Sequence, residues 1–325
     1  MNSFGRIFRV HIFGESHGEC VGILIDGCPP GLSLSENDFK EPLIKRNPKI
    51  KGTTPRKEKD EILLKTGIFN GFTTGAPILI EVPNKNINSK DYDFVKSTPR
   101  PGHADFVASQ KYYGFNDYRG GGHFSGRLTT SLVIAGVIAK KIIPKIVIES
   151  RLISVGGSDE IEKTIDNALK YGDSVGGIVE CTAKNVPLGL GEPFFDSLES
   201  LISHMVFSIP AIKGIEFGSG FNSACMNGSE HNDLIIDKSG KTATNNSGGI
   251  NGGISNGNDL VFRVAVKPSS SISVTQSTLN FETNEKQNLK IIGRHDICIA
   301  LRVPVVLESV LSIVLADLNL IRYKK

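Results

Sequence analysis

The stretch IFRVHIFGESHGECVGILID, Ile7 to Asp26, decides how this chain starts to fold. Apolar residues dominate 7–13 and 21–26, and both runs have the length and composition of β-strands. The Gly-Glu-Ser-His-Gly segment between them predicts a turn that carries His17. A histidine flanked by glycine and small polar residues is placed for chemistry, because little side-chain bulk surrounds its imidazole.

Three other segments have a similar composition. Each puts a histidine beside arginine in a glycine-containing stretch: Arg100-Pro101-Gly102-His103-Ala104-Asp105, Arg119-Gly120-Gly121-Gly122-His123-Phe124-Ser125-Gly126-Arg127 and Gly293-Arg294-His295-Asp296. The chain has 12 arginines against 25 lysines, yet several of those arginines lie in these segments. Arginine binds carboxylate and phosphate through two parallel hydrogen bonds. The pattern therefore predicts one anion-binding, proton-handling pocket built from distant segments.

Composition narrows the class of protein. The 325 residues are 39% hydrophobic and 22% charged, with a net charge of +3, which is typical of a globular protein. The near-neutral charge and the absence of Trp argue against a nucleic-acid surface. Five scattered cysteines without a CxxC pair indicate reduced thiols and a cytoplasmic location. No targeting or transmembrane segment is expected, because Arg302, Pro304, Glu308 and Asp317 interrupt the most apolar run, 301–321.

The periodicity predicts a mixture of strands and helices. Strands are expected over 7–13, 21–26, 62–66, 76–82 and 260–266, and helices over 35–45 (with Ser35 as N-cap), 128–143, 196–207 and 305–321. The segment 22–32 resembles 177–190, about 155 residues later. We expect one domain over 1–325 that contains two similar halves, about 1–150 and 151–325. Residues 243–258 are rich in Gly, Asn and Ser and suit either a flexible loop or a phosphate-binding nest.

Several catalytic classes can be weighed against these residues. Gly14-Glu15-Ser16-His17-Gly18 formally matches the GxSxG motif of serine hydrolases, but that motif requires a helix directly after the serine and a strand is expected here. Gly240-Lys241-Thr242 ends like a P-loop without its first glycine, and no His or Cys spacing suggests a metal site. Acid–base chemistry by His17 and His103 at an anionic substrate remains, since imidazole titrates near neutral pH.

The motifs as a set resemble the chorismate synthase family. The resemblance rests on Phe13–Gly18, Asp26-Gly27 with Pro29–Gly31, Arg100–Asp105, Asp117–Gly122, Gly189–Pro193, Ser247–Ile250, Lys267–Ser271 and Gly293–Asp296 with Cys298, in family order from Phe4 to Asp317. It implies an α+β fold, a β-α-β sandwich with an internally duplicated core, assembled as a homotetramer.

The resemblance also implies an activity. The family removes phosphate and the C6 proton from 5-enolpyruvylshikimate-3-phosphate in an anti-1,4-elimination that gives chorismate, the last common step of the shikimate pathway. It requires reduced FMN without net redox change and is associated with NADP. Since the motifs fill the chain, we expect a lyase that depends on an external source of reduced flavin.

The resemblance further implies roles for individual residues. His17 would be the acid at the departing phosphate, His103 would control the charge of the reduced flavin, and Ser16 with Asp296 would form a relay to the flavin. Substrate would be bound by Arg46, Lys51, Arg100, Arg127 and Arg294. Flavin contacts would come from His123, Phe124, Ser125, Ala211, Gly252, Lys267, Pro268, Ser269, Ser270, Ser271 and Arg294.

Three positions depart from the family pattern. His123 and Phe124 stand in a loop that commonly carries Arg and Ser, Lys51 stands where Arg is usual, and Pro210 replaces Asn. These changes leave open a second hypothesis, a flavin- or phosphate-binding relative without catalytic activity.

Overall fold

The structure, a computed structural model, describes residues 1–54, 60–85, 89–291 and 295–324. Its strands are β1 (Ser3–Phe4), β2 (Arg9–Gly14), β3 (Cys20–Asp26), β4 (Leu63–Leu64), β5 (Ile68–Phe69), β6 (Phe72–Thr73), β7 (Ile78–Pro83), β8 (Val147–Val155), β9 (Gly177–Lys184), β10 (Ile212–Phe217), β11 (Ile250–Asn251), β12 (Ile254–Ser255), β13 (Leu260–Val266), β14 (Gln276–Asn280) and β15 (Glu285–Leu289). Its α-helices are α1 (Asn37–Arg46), α2 (Asp105–Lys111), α3 (Thr129–Ile142), α4 (Ile161–Tyr171), α5 (Leu198–Val206), α6 (Gly228–His231) and α7 (Val303–Lys324). Short 3-10 turns lie at Ser89–Lys96, Arg119–Phe124, Gly126–Leu128, Phe194–Asp196, Gly220–Cys225 and Ile299–Arg302.

Two antiparallel sheets form the outer layers. The first has the strand order β1-β2-β3-β7-β4, and the second has the order β10-β13-β9-β8. Alternate side chains are buried in β9, β13 and β7, and in β7 Ile78, Ile80 and Val82 are fully buried. That alternation is expected of sheets that cover a core with one face.

Helices α3 and α7 fill the space between the sheets. They pack along each other, α3 against β3 and α7 against β8 and β9. Eleven consecutive residues of α3, Thr129–Ala139, are buried, so the helix is apolar around most of its circumference. The layers are therefore sheet, helices and sheet, which confirms the predicted α+β sandwich. The single domain with two similar halves stays a prediction.

The C-terminal helix is long and apolar enough to cross a membrane, by length and composition alone. In this fold 72% of its most apolar window is buried inside the molecule. It also carries Asp317, whose carboxylate accepts the backbone N–H groups of Arg6, Ile7 and Phe8 at 2.7–2.9 Å. The helix therefore serves as the centre of the core.

One local expectation, the start of the first helix, needs correction. Helix α1 starts at Asn37, and the Ser35 hydroxyl donates to the Asp38 carboxylate instead of capping a backbone N–H. Residues 243–258, which suit either a flexible loop or a phosphate-binding nest, contain the β11–β12 hairpin, and the Asp233 carboxylate accepts the N–H groups of Asn246 and Ser247.

Candidate active site

The first histidine lies in the turn between β2 and β3. Ser16 and His17 are both 5% exposed, and the Ser16 hydroxyl lies 3.2 Å from Nδ1 of His17. The same hydroxyl lies 3.0 Å from the carbonyl oxygen of Gly120, and the Ser16 N–H donates to Gly122 at 3.2 Å. The imidazole is therefore held between its own turn and the three-glycine loop.

Gly120 must be glycine for this contact. Its φ of +57° lies in the left-handed region, and a Cβ there would fall 2.0 Å from the His17 ring. The next residue, Gly121, brings its backbone close to the second histidine, since a Cβ would lie 3.2 Å from Cε1 of His103. One loop thus lies against both histidines that the sequence singled out.

His103 belongs to a buried ionic cluster at the start of α2. Asp105 pairs with Nε of Arg100 at 2.7 Å and with Nδ1 of His103 at 2.5 Å. Burial raises the pKa of Asp105, but hydrogen bonds from Arg100 and His103 outweigh it and hold the pKa well below its usual range. Asp105 therefore stays ionised and orients both side chains.

Tyr92 joins the two histidine motifs. Its ring meets His17 edge-on with centroids 5.1 Å apart, and the Arg100 guanidinium lies 5.6 Å from its centroid. No sequence motif marks this residue, which follows a polar stretch in a 3-10 turn. Such a contact becomes visible only when the tertiary structure is known.

The Lys267–Ser271 segment docks on the His103 loop. Lys267 Nζ and the Ser270 hydroxyl both donate to the carbonyl oxygen of Gly102, at 2.5 and 3.0 Å. Arg100 Nη1 donates to the Ser271 hydroxyl at 3.2 Å. Pro268 packs near Gly176, the Ser269 carbonyl accepts a bond from Ser174, and the Lys267 N–H donates to Ala211. The predicted flavin segment therefore lies against the histidine cluster, and Ala211 lies next to that segment.

A second cluster surrounds a cavity of about 240 Å³. Arg46, Ser125, Arg127 and Asp296 line it, together with Pro210, Thr54 and Arg302. Arg46 and Arg127 are about one-tenth exposed, and both pair with Asp60, Arg46 at 3.1 Å. Burial raises the pKa of Asp60, but the two guanidinium groups outweigh it and lower that pKa. This buried carboxylate, which sequence reasoning missed, holds two predicted substrate-binding arginines together.

Asp296 is held by a cation and a backbone donor. Arg302 donates to both carboxylate oxygens at 2.9–3.1 Å, and the Thr54 N–H donates at 2.8 Å. No hydrogen bond joins Asp296 to Ser16 within the part of the chain that the structure describes. The neighbouring His295 has a buried Nε2 without a hydrogen-bond partner, and burial together with Arg100 lowers its pKa. His295 is therefore a neutral, unsatisfied group beside the cationic cluster.

Other predicted residues lie elsewhere or outside the description. Lys51 is not brought into the site: its side chain is 63% exposed and pairs with Asp166 at 2.5 Å. Gly252 lies in the β11–β12 hairpin, which packs on the N-terminal end of α5, whereas Ala211 follows the other end of that helix. His123 Nδ1 lies 2.8 Å from the Gly14 carbonyl, and Phe124 is 37% exposed. Arg294 lies outside the described residues.

The arrangement limits the chemistry. Ser16 is followed by strand β3 and not by a helix, so it has no nucleophile elbow and the hydrolase alternative is not favoured. Among the described residues no group of three or more His, Cys, Asp or Glu could hold a metal. Two histidines near buried guanidinium groups can bind a multiply charged anion and transfer a proton to it.

Comparison with known proteins gives the relationship. Residues 8–320 match the family model described as chorismate synthase. The chain is 60% identical to the chorismate synthase of Chitinophaga pinensis over 325 residues, with 100% of this chain and 98% of that protein covered. It is 46% identical to the chorismate synthase of Dehalococcoides mccartyi over 351 residues, with 98% and 96% covered. A crystal structure of chorismate synthase superposes with a TM-score of 0.74 at 27% identity, with 98% and 93% covered. The chain therefore belongs to the chorismate synthase family.

Proposed function

We propose that this protein converts 5-enolpyruvylshikimate-3-phosphate to chorismate by anti-1,4-elimination of phosphate and the C6 proton. This reaction makes it a carbon–oxygen lyase of the shikimate pathway and of aromatic amino acid biosynthesis. One observation carries the proposal: the backbones of Gly120 and Gly121 lie against His17 and His103, beside buried arginines, in a family member matched over 8–320.

The cations suit the substrate. A phosphate and two carboxylates need several forked donors, and Arg46, Arg100 and Arg127 supply guanidinium groups that are buried or nearly so. Each is prepaired with Asp60 or Asp105, so its position is set before substrate binds. We infer that His17, oriented by Ser16, protonates the departing phosphate.

The residues beside His103 fit reduced FMN. Gly121 carries no Cβ at the imidazole, Lys267, Ser270 and Ser271 offer an amine and hydroxyls, and the buried Nε2 of His295 needs a partner. Reduced FMN would supply an electron transiently and regain it, so that the reaction has no net redox change. His103, which is fixed by Asp105, would hold the proton that sets the charge of the flavin.

The relay role of Ser16 and Asp296 has less geometric support, because Arg302 and Thr54 hold the Asp296 carboxylate. We further propose that the protein is a cytoplasmic homotetramer that receives reduced flavin from a separate source, with any role for NADP limited to that supply. These proposals rest on the family resemblance and on the composition.

Anaerobic incubation with chemically reduced FMN and 5-enolpyruvylshikimate-3-phosphate tests the activity. We expect equal amounts of chorismate and phosphate, and none with oxidised FMN alone. His17→Gln should lower kcat about 10²- to 10⁴-fold, the usual contribution of a general acid. His231→Gln, at the C-terminal end of helix α6, serves as the matched control. Flavin binding without product formation would favour the non-catalytic alternative.

A further inference from the structure

Asn84 connects the two clusters of the site. It follows β7 directly, and its N–H donates to the Glu19 carbonyl at 3.0 Å, which continues the pairing of β7 with β3. Its backbone is therefore fixed by the first sheet, and its side chain projects from a rigid support.

The carboxamide of Asn84 holds both ends of the histidine turn. Its Nδ2 donates to the carbonyl oxygens of Glu15 and Gly18, each at 2.9 Å. These two carbonyls bracket Ser16 and His17. A primary amide nitrogen has two hydrogens, so each carbonyl receives its own hydrogen bond.

The oxygen of the same amide faces the second cluster. Oδ1 accepts a hydrogen bond from Nε of Arg127 at 3.1 Å. The amide orientation follows from chemistry: if it were reversed, the oxygen would face two carbonyls and the nitrogen would face a guanidinium donor. All three polar contacts favour the one orientation.

Arg127 is fixed from both sides as a result. Asp60 pairs with its Nη1 and Asn84 accepts from its Nε. The Pro83 carbonyl lies 3.5 Å from Nη2. Asn84 thus ties this guanidinium to the histidine turn.

We propose that Asn84 is a positioning residue that sets the distance between the His17 imidazole and the Arg127 guanidinium. It makes the proton donor and an anion-binding group act on the same substrate. The inference rests on the proposed function, in which His17 is the acid and Arg127 binds substrate.

The test compares Asn84→Ala and Asn84→Asp with the control Asn185→Asp. Asn185 also donates through Nδ2 to a carbonyl, that of Lys145, but in an exposed loop. Asn84→Ala should lower kcat about tenfold to a hundredfold, as expected for misplaced groups, and raise KM. Asn84→Asp keeps the acceptor for Arg127 but loses both donors, so its kcat should fall while its KM changes less than in Asn84→Ala. A purely structural role would lower the melting temperature and leave KM unchanged.

Double variants show whether Asn84 acts through the two groups. In a His17→Gln background, Asn84→Ala should change kcat by less than about twofold, because no acid remains to be positioned. In an Arg127→Lys background, Asn84→Ala should change the Kd for 5-enolpyruvylshikimate-3-phosphate by less than about twofold. This Kd is measured by calorimetry without flavin. Undiminished effects in both backgrounds, or single variants that match Asn185→Asp, would overturn the proposal. The proposed function fails if the wild-type protein forms no chorismate. The Kd measurement needs no turnover, so it tests the role of Asn84 separately from that failure.

Discussion

At the scale of single residues, Gly120 has no room for a side chain. Its backbone lies so close to the His17 ring that even one methyl group would overlap with it. The close backbone of Gly120 excludes other positions of the imidazole ring and so fixes the ring by shape. Shape is therefore as important as polarity in the placement of this imidazole.

Gly120→Ala should displace His17 and lower kcat about a hundredfold, since a shift of about 1 Å can cost that much. Steady-state kinetics under reducing, anaerobic conditions measures the loss. Gly157→Ala is the matched control, because Gly157 also has a left-handed φ, +81°, but no atom lies within 4 Å of its Cβ position. Equal losses in the two variants would mean that backbone strain, and not contact with His17, causes the effect.

Residues inside motifs could be predicted from the sequence, and residues that support them could not. His17 and His103 stand out because glycine and arginine surround them. Asp60, Asn84 and Tyr92 are single polar or aromatic residues without a local pattern. Their partners lie far away in the chain, such as Arg127, which is 67 residues from Asp60. Tertiary packing brings such residues into contact, for example that of β7 against β3 and of α1 against α3.

At the scale of elements, α3 and α7 pack closely along each other in the core. Gly136 of α3 lies over Ser309 of α7, where a Cβ on Gly136 would be 2.4 Å from Cβ of Ser309. The glycine lets the two backbones approach, at a cost of about 0.5–1 kcal/mol in helix propensity relative to alanine. Close packing of the helices offsets that cost.

Gly136→Ala should therefore destabilise the protein by about 1–3 kcal/mol, the usual cost of overpacking, although alanine is the better helix former. Urea denaturation followed by circular dichroism measures the free energy of unfolding. Gly228→Ala, at the start of α6 with open space around it, should change that free energy little. A stabilised Gly136→Ala variant would show that the helices can move apart without loss.

Several periodic elements were predicted well, although strand β8 and helix α4 were not predicted. The strand expected over 260–266 is β13 with the same bounds, and the helix expected over 128–143 is α3, Thr129–Ile142. Short elements were not predicted, such as β10 and the β11–β12 hairpin, because a few residues carry too little periodicity. Their positions depend on neighbouring strands and on side chains such as Asp233.

At the scale of the whole molecule, buried carboxylates link stability to pH. Asp60 and Asp105 both have pKa values below their ordinary range, with guanidinium partners that outweigh burial. The unfolded chain therefore takes up protons at higher pH than the folded protein does. Their contribution to stability is complete above the unfolded pKa of about 3.9 and is lost as pH falls further toward the folded values.

Asp105→Asn should be less stable than the wild type at pH 7, because Arg100 loses its buried counter-ion. The difference should narrow as pH falls below about 4, where the wild type begins to lose the same contribution. Urea denaturation at several pH values measures it, with Asp159→Asn at an exposed position as control. Parallel curves for the wild type and Asp105→Asn down to low pH would contradict the assignment.

The bond between the first strands and the last helix has a consequence for synthesis on the ribosome. Arg6 and the Asp317 carboxylate that binds its N–H are 311 residues apart. At about 5–20 residues per second, roughly 15 to 60 s pass between their translation. Once α3 has been made, it lacks the helix that packs along it, so nascent chains expose the apolar surface of α3 until α7 has left the exit tunnel. We therefore expect chaperones that bind nascent chains to occupy this protein for most of its translation.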